Sequence, residues 1–160
     1  MKNKEDLYKS LLPQIESLIE PEKDFIANLA NICAVLKERL GFFWVGFYLT
    51  KQEELVLGPF QGPLACTRIK IGQGVCGKSA QNKETFIVDD VHKFDGHIAC
   101  NANSKSEIVI PLIDAEKTKL ILDCDSDVLN NFDELDQKYL EKLIAIIKKK
   151  HFIKLEKQQK

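Results

Sequence analysis

Apolar residues recur along this chain in two rhythms, one helical and one extended. Leu7, Leu11, Ile15 and Ile19 recur at steps of four and predict a helix over Asn3 to Glu20, which Pro13 should kink or divide. Pro21 suits the start of a second helix reaching about Leu40, with Phe25, Leu29, Ile32, Cys33, Leu36 and Leu40 on one face and Gly41 as its stop. The rhythm then changes to two. FFWVGFYLT, from Phe42 to Thr50, is aromatic and β-branched and lies between Gly41 and the polar turn KQEE, so it predicts a strand. Alternation places Phe43, Val45, Phe47 and Leu49 on one face, suited to packing against helices. Phe42, Trp44, Gly46 and Tyr48 fall on the other.

ELVLGPF completes a hairpin, QGP turns the chain, and TRIKI (Thr67 to Ile71) and TFIVDD read as short strands. His92 to Ser106 has the Gly, Asn, Asp and Ser content of an irregular loop, a type that often carries function. In SEIVIPL, Ile108, Ile110 and Leu112 share one face and leave Glu107 and Val109 on the other. In LILDCDS, Leu120, Leu122 and Cys124 oppose Ile121, Asp123 and Asp125. A last helix begins near Asp133, its N-cap, with Glu134 and Asp136 in the first turn. It buries Tyr139, Leu140, Leu143, Ile144 and Ile147 and ends at Lys148, Lys149 and Lys150; the tail to Lys160 should fray. The order predicts an α+β fold: one domain over 1–160, with N-terminal helices at about 3–40, a mostly antiparallel central sheet and site loops at about 42–126, and a C-terminal helix at about 133–150.

Composition narrows the function classes. Hydrophobic residues make up 44% and charged residues 29%, as in an ordinary globular domain. A net charge of -1 gives no reason to expect nucleic acid or an acidic membrane as partner. No apolar run is long enough to span a bilayer, and Met1 to Glu20 lacks the apolar core of a signal peptide, so a cytoplasmic location is expected. Thiols stay reduced there, so the five cysteines should not form a structural disulfide framework.

Four of those five cysteines fall between Cys66 and Ser126, the first three at C-x9-C-x23-C spacing. Cys33 sits on the apolar face of the second helix and reads as a small buried hydrophobe. Gly72 to Gly77 holds a G-x-G-x-x-G after a strand, which imitates a dinucleotide fingerprint. The helix that follows is too short for a βαβ crossover, so the glycines are expected to serve a tight turn and a close backbone approach instead. Taken alone, Trp44 and Tyr48 are core aromatics, and the aspartates of LDCDS are a strand fraying into a turn. If the helices cover the Val45 face, however, the opposite face gathers Trp44, Tyr48, Glu107, Asp123 and Asp125, and the loops with Cys66, Cys76 and Cys100 can roof it.

WVGFYL, GPFQGPLACTRI, GVCG, DVHKFDGHIACNANSKSEIVIPL and LDCDS together resemble the free methionine-R-sulfoxide reductases, enzymes built on a GAF-type domain. The resemblance spans roughly Leu36 to Leu143. It implies reduction of free L-methionine (R)-S-oxide to methionine with thioredoxin as electron donor, no bound cofactor or metal, and a family that often forms homodimers. Carried over by residue, it implies Cys100 as nucleophile, Cys66 as the resolving cysteine that forms a disulfide with it, and Cys76 as an auxiliary or alternative resolver. Trp44 and Tyr48 match the aromatic pocket around the methyl-sulfur end, and Glu107, Asp123 and Asp125 match the acids that bind the sulfoxide or donate its proton. Two positions depart from the family pattern: Leu120, where glycine is usual, and Cys124, where an aliphatic is usual.

The residue types suit the chemistry. Attack on an electrophilic sulfur needs a thiolate, and a free cysteine has a pKa of about 8.5. His97 is the nearest basic candidate in sequence to raise the thiolate fraction, although a solvated loop histidine fits the same position. The departing oxygen needs protons, and three clustered carboxyls cannot all ionise easily. Two other readings stand beside the enzyme. One is a non-catalytic GAF-type sensor of a small molecule or of redox state. The other is a zinc site from Cys66, Cys76, His97 and Cys100, disfavoured by the lack of any C-x2-C pair.

Overall fold

The computed structural model describes residues 3–153, so the expected fraying beyond them lies outside the described residues. Helix α1 spans Lys4–Ile19 and is capped by the Asn3 side chain, which accepts from the Asp6 N–H at 2.8 Å. Pro13 lies inside α1 and does not divide it. Helix α2 (Phe25–Leu40) starts four residues later than Pro21 suggests. The Asp24 side chain is the true cap, and the buried Asn28 amide ties the linker down by donating to the carbonyls of Ile19 and Glu22. Gly41 ends α2 at φ +68°, as expected of a left-handed stop.

The sheet has six strands in the order β3-β2-β1-β6-β5-β4, every neighbouring pair antiparallel. These are β1 (Trp44–Lys51), β2 (Glu54–Gln61), β3 (Arg68–Lys70), β4 (Phe86–Val88), β5 (Ser106–Asp114) and β6 (Lys117–Ser126). Helix α3 (Gly74–Asn82) follows β3, a 3-10 turn spans Val91–Lys93, and α4 (Glu134–His151) closes the fold. The nine-residue α3 does not bridge parallel strands, which removes the dinucleotide reading. Its glycines act as expected. Gly72 turns at φ +92° and its N–H donates to the Gly77 carbonyl at 2.8 Å, while a side chain at Gly77 would strike the Lys70 carbonyl.

Two cores lie on the two faces of the sheet. Helices α1, α2 and α4 cover one face, where Val45, Phe47, Ile108, Ile110, Leu112, Leu120, Leu122 and Cys124 meet Leu11, Ile15, Leu36 and Leu143. Each such side chain, fully buried, contributes about 1.5–3 kcal/mol. Tyr8 joins α1 to α4 by stacking on Tyr139 at 5.1 Å and donating to Asp136 at 2.8 Å. Asp136 is buried under Lys4 and closes a capping box with Asp133, a larger role than the first-turn acid expected from sequence. The opposite core holds Trp44, Tyr48, Leu55, Val75, Cys76, Val109 and Ile121.

One facing assignment is reversed. Phe42 packs with the helices and Phe43 with the opposite core. The strand begins only at Trp44, and the Lys37 ammonium binds the carbonyls of both Phe42 and Phe43, so the alternation does not extend back through the bend.

Candidate active site

Three strands in register build the floor of a pocket on the face away from the helices. Trp44 pairs with Asp125, and Asp125 pairs with Glu107. One row along, Gly46 pairs with Asp123, and Asp123 with Val109. The period of two then aims Trp44, Asp125, Asp123 and Glu107 at one point. Gly46 matters because a Cβ there would overlap the Trp44 ring and the Phe60 side chain. Without it the indole folds across the strand, stacking on Phe60 at 5.4 Å and Tyr48 at 6.1 Å.

The start of α3 and the loop between the 3-10 turn and β5 form the walls. Seven of the residues selected from sequence line this pocket: Trp44, Tyr48, Cys76, Cys100, Glu107, Asp123 and Asp125. The eighth, Cys66, closes it through a disulfide with Cys100, Cα to Cα 5.3 Å. That separation sits within the range of about 4.4–6.8 Å usual for a disulfide. Trp44 Nε1 donates to the Pro63 carbonyl at 3.0 Å, and the Tyr48 hydroxyl donates to the Cys66 carbonyl at 2.9 Å. The two pocket aromatics therefore also fix the segment that carries Cys66.

Burial sets the electrostatics. The carboxyl oxygens of Glu107, Asp123 and Asp125 lie within 4.8 Å of one another. Burial, reinforced by its two neighbours, raises the Glu107 pKa well above the usual carboxylate range. Burial and then Asp125 do the same to Asp123, against an opposing hydrogen bond from the Cys76 thiol. Asp125 is pushed by burial to about 6, with hydrogen bonds from Glu107 and Ser104 opposing the rise. Burial and mutual repulsion therefore push all three carboxyls towards their neutral forms. One buried oxygen each of Asp123 and Asp125 has no hydrogen-bond partner, so the floor presents open polar atoms to whatever occupies the pocket.

The thiols divide by environment. Cys33 is buried and its pKa is pushed to about 12 by desolvation. Its thiol meets the Pro59 carbonyl at 3.3 Å, far from a reactive setting. Cys124 is buried on the helix side, as its alternation predicts. Cys76 is buried beside Asp123, and desolvation followed by the nearby acids holds its thiol protonated. His97 lines the pocket, but burial and then the adjacent His92 lower its pKa, so it supplies little positive charge at neutral pH. The start of α3 is the better source of positive field. Its N-cap Gln73 makes no side-chain capping bond, and Gly74, Val75 and Cys76 of the first turn line the pocket.

The four residues of the zinc reading are not held as a metal site in this state. Cys66 and Cys100 are bonded to each other and so offer no thiolates to a metal. Sequence reasoning passed over Ser104, which is buried and hydrogen-bonds Asp125, and Asn101 and Val75 on the walls. Only their placement in the long loop and beside the glycine turn hinted at them. Among the described residues no helix is long and apolar enough to cross a membrane.

Residues 22–148 match the model of the GAF domain family. A free methionine-R-sulfoxide reductase of Escherichia coli is 45% identical, the match covering 92% of this chain and 90% of that protein. GAF domain-containing protein A of Dictyostelium discoideum is 58% identical over 91% of this chain and 92% of its own. Among solved structures, a free methionine-R-sulfoxide reductase from Neisseria meningitidis in complex with its substrate superposes with a TM-score of 0.92 at 51% identity, covering 94% of this chain and 91% of that one.

Proposed function

The chain belongs to the GAF domain family and, within it, to the free methionine-R-sulfoxide reductases, and on that premise we propose that it reduces free L-methionine (R)-S-oxide to L-methionine with Cys100 as nucleophile. The observation that carries the proposal is the Cys66–Cys100 disulfide lying at the edge of a pocket floored by three clustered, buried carboxyls. A small-molecule sensor needs the pocket but no thiol pair, and a redox sensor needs the thiol pair but no cluster of acids aimed at the same point.

The steps follow from the geometry. The substrate's methyl-sulfur end enters against Trp44 and Tyr48, and its carboxylate takes the first-turn N–H groups of α3. Glu107 and Asp123 donate hydrogen bonds to the sulfoxide oxygen, which makes sulfur more electrophilic. The Cys100 sulfur, reduced at this stage, attacks. The substrate's S–O bond breaks as its oxygen passes to the Cys100 sulfur and takes a proton from the acids, so methionine departs reduced by two electrons and Cys100 is left as a sulfenic acid. The Cys66 thiol displaces that hydroxyl as water and forms the observed disulfide. A dithiol donor of the thioredoxin type returns two electrons and two protons. Cys76, protonated in this state, is the reserve thiol for a variant lacking Cys66.

Closure also explains the choice of a free amino acid. With the disulfide in place the cavity is only ≈ 40 Å³, against about 10–15 Å³ for a single water. The reduced loop must retreat to admit substrate and then close over all of it, which excludes a residue inside a polypeptide. A single-turnover experiment tests the reading. Reduced protein mixed with free L-methionine (R)-S-oxide and no reductant should release one methionine per chain, lose two thiols, and yield the Cys66–Cys100 peptide pair on mapping. Methionine release with Cys100 still free would defeat it.

A further inference from the structure

We propose that Leu64 and Ile98 form the rim on which the dithiol protein that reopens the Cys66–Cys100 disulfide docks. The proposal rests on the reading of that bond as a product of turnover. Leu64 is 86% exposed, the most of any exposed large hydrophobic residue among those described, and Ile98 is 37% exposed. Each stands two residues before one of the bonded cysteines. The bond is therefore bordered by an aliphatic side chain from each of its two segments.

Neither side chain is on a loose tip. The segment carrying Leu64 is tied on both sides, by Trp44 Nε1 to the Pro63 carbonyl at 3.0 Å and by the Tyr48 hydroxyl to the Cys66 carbonyl at 2.9 Å. Ile98 is seated on α3, its side-chain carbons 3.1 Å from where a Cβ on Gly74 would stand. An exposed aliphatic on a tethered backbone segment has less conformational freedom to lose on binding than one on a free loop. With a net charge of only -1 the chain as a whole offers weak long-range steering, which leaves more of the contact to short-range surface near the bond.

The chemistry requires a partner at this place. A thiolate of the donor must approach one sulfur in line with the S–S bond. It bonds to that sulfur, and the other leaves as a thiolate and takes up a proton. The donor's second thiol then displaces the first, leaving the donor as a disulfide and this chain as a dithiol. A protein that places a thiolate there comes up against the two segments that carry Leu64 and Ile98.

The test compares two reductants on the full chain with free L-methionine (R)-S-oxide: thioredoxin with its reductase and NADPH, and dithiothreitol alone. Leu64→Asp should raise the KM for thioredoxin by about tenfold, as loss of an interface anchor does, and lower the ratio of thioredoxin-driven to dithiothreitol-driven turnover accordingly. Leu64→Ile should restore the ratio, and Leu18→Asp, an exposed leucine on α1, should leave it alone. An unchanged ratio in Leu64→Asp overturns the proposal, as does an equal change in Leu18→Asp. So does a loss of self-association in Leu64→Asp that accounts for its effect. If the unsubstituted protein turns over with dithiothreitol but not with thioredoxin, the docking rim falls while the reductase activity stands. If it turns over with neither, the reductase reading falls first.

Discussion

Replacing Asp125 by Asn should make the protein more stable at neutral pH while making it a poorer catalyst. In the folded state Asp125 titrates near 6 because burial opposes its charge, against an ordinary value of 3.8. Below pH 3.8 the carboxyl is neutral whether folded or not, and its burial carries no charge penalty. As pH rises through the interval, the unfolded chain ionises first, so Asp125's favourable share of stability is lost and does not return above pH 6. Raising a carboxyl from 3.8 to about 6 corresponds to roughly 3 kcal/mol, at 1.36 kcal/mol for each step of one in pKa. Asn does not titrate. The stability of Asp125→Asn relative to the parent should therefore rise by roughly 3 kcal/mol between pH 3.5 and pH 7.5, or about 6–12 °C in Tm for a chain this long. The assay is urea or thermal unfolding of the oxidised forms of both proteins across that range, with turnover measured in parallel. Turnover should fall by about 10²–10⁴-fold, the usual effect of impairing an acid, because Asp125 helps raise the pKa of Glu107 and Asp123, the two proposed donors. A stability difference that is flat with pH, or that moves against Asn as pH rises, would refute the account of the acidic floor.

Other outcomes follow from the same geometry. Cys100→Ser should lose turnover entirely, Cys66→Ser should release one methionine and then slow to whatever Cys76 can sustain, and Cys33→Ser should keep full turnover, all measured as methionine released per chain over time. Gly46→Ala should lower stability by about 1–3 kcal/mol through overpacking and raise the KM for the sulfoxide, because the new methyl displaces the Trp44 ring that it overlaps; unfolding curves and steady-state kinetics read the two effects separately.

Much of this site was legible because strands report one face at a time. The period of two in WVGFYL, SEIVIPL and LDCDS already put Trp44, Tyr48, Glu107, Asp123 and Asp125 on a face opposite the helix-packed residues. What period cannot supply is register. That Asp125 lies between Trp44 and Glu107, rather than a residue along, is fixed by the pairing of β1 and β5 with the central β6. The error at Phe42 and Phe43 has the same root, since alternation holds only inside a strand and this one starts at Trp44. Pro21 was a misleading helix start because Asp24, three residues on, has a side chain that accepts the Ala27 N–H at 2.8 Å. Ser104 left no trace, since a serine in a polar loop looks the same whether solvated or buried against Asp125. His97 stayed open between two readings, because its nearness in sequence to Cys100 says nothing about whether burial leaves it charged.

The central claim is that a closed pocket takes a whole free amino acid and delivers its oxygen to Cys100 over a floor of buried carboxyls. It is tested most directly by giving the reduced protein the separate R and S epimers of free methionine sulfoxide, and the R epimer within a peptide, with dithiothreitol as reductant. The account predicts turnover of the free R epimer and little or none of the other two. Equal rates on the peptide-bound R epimer, or on the free S epimer, would contradict it.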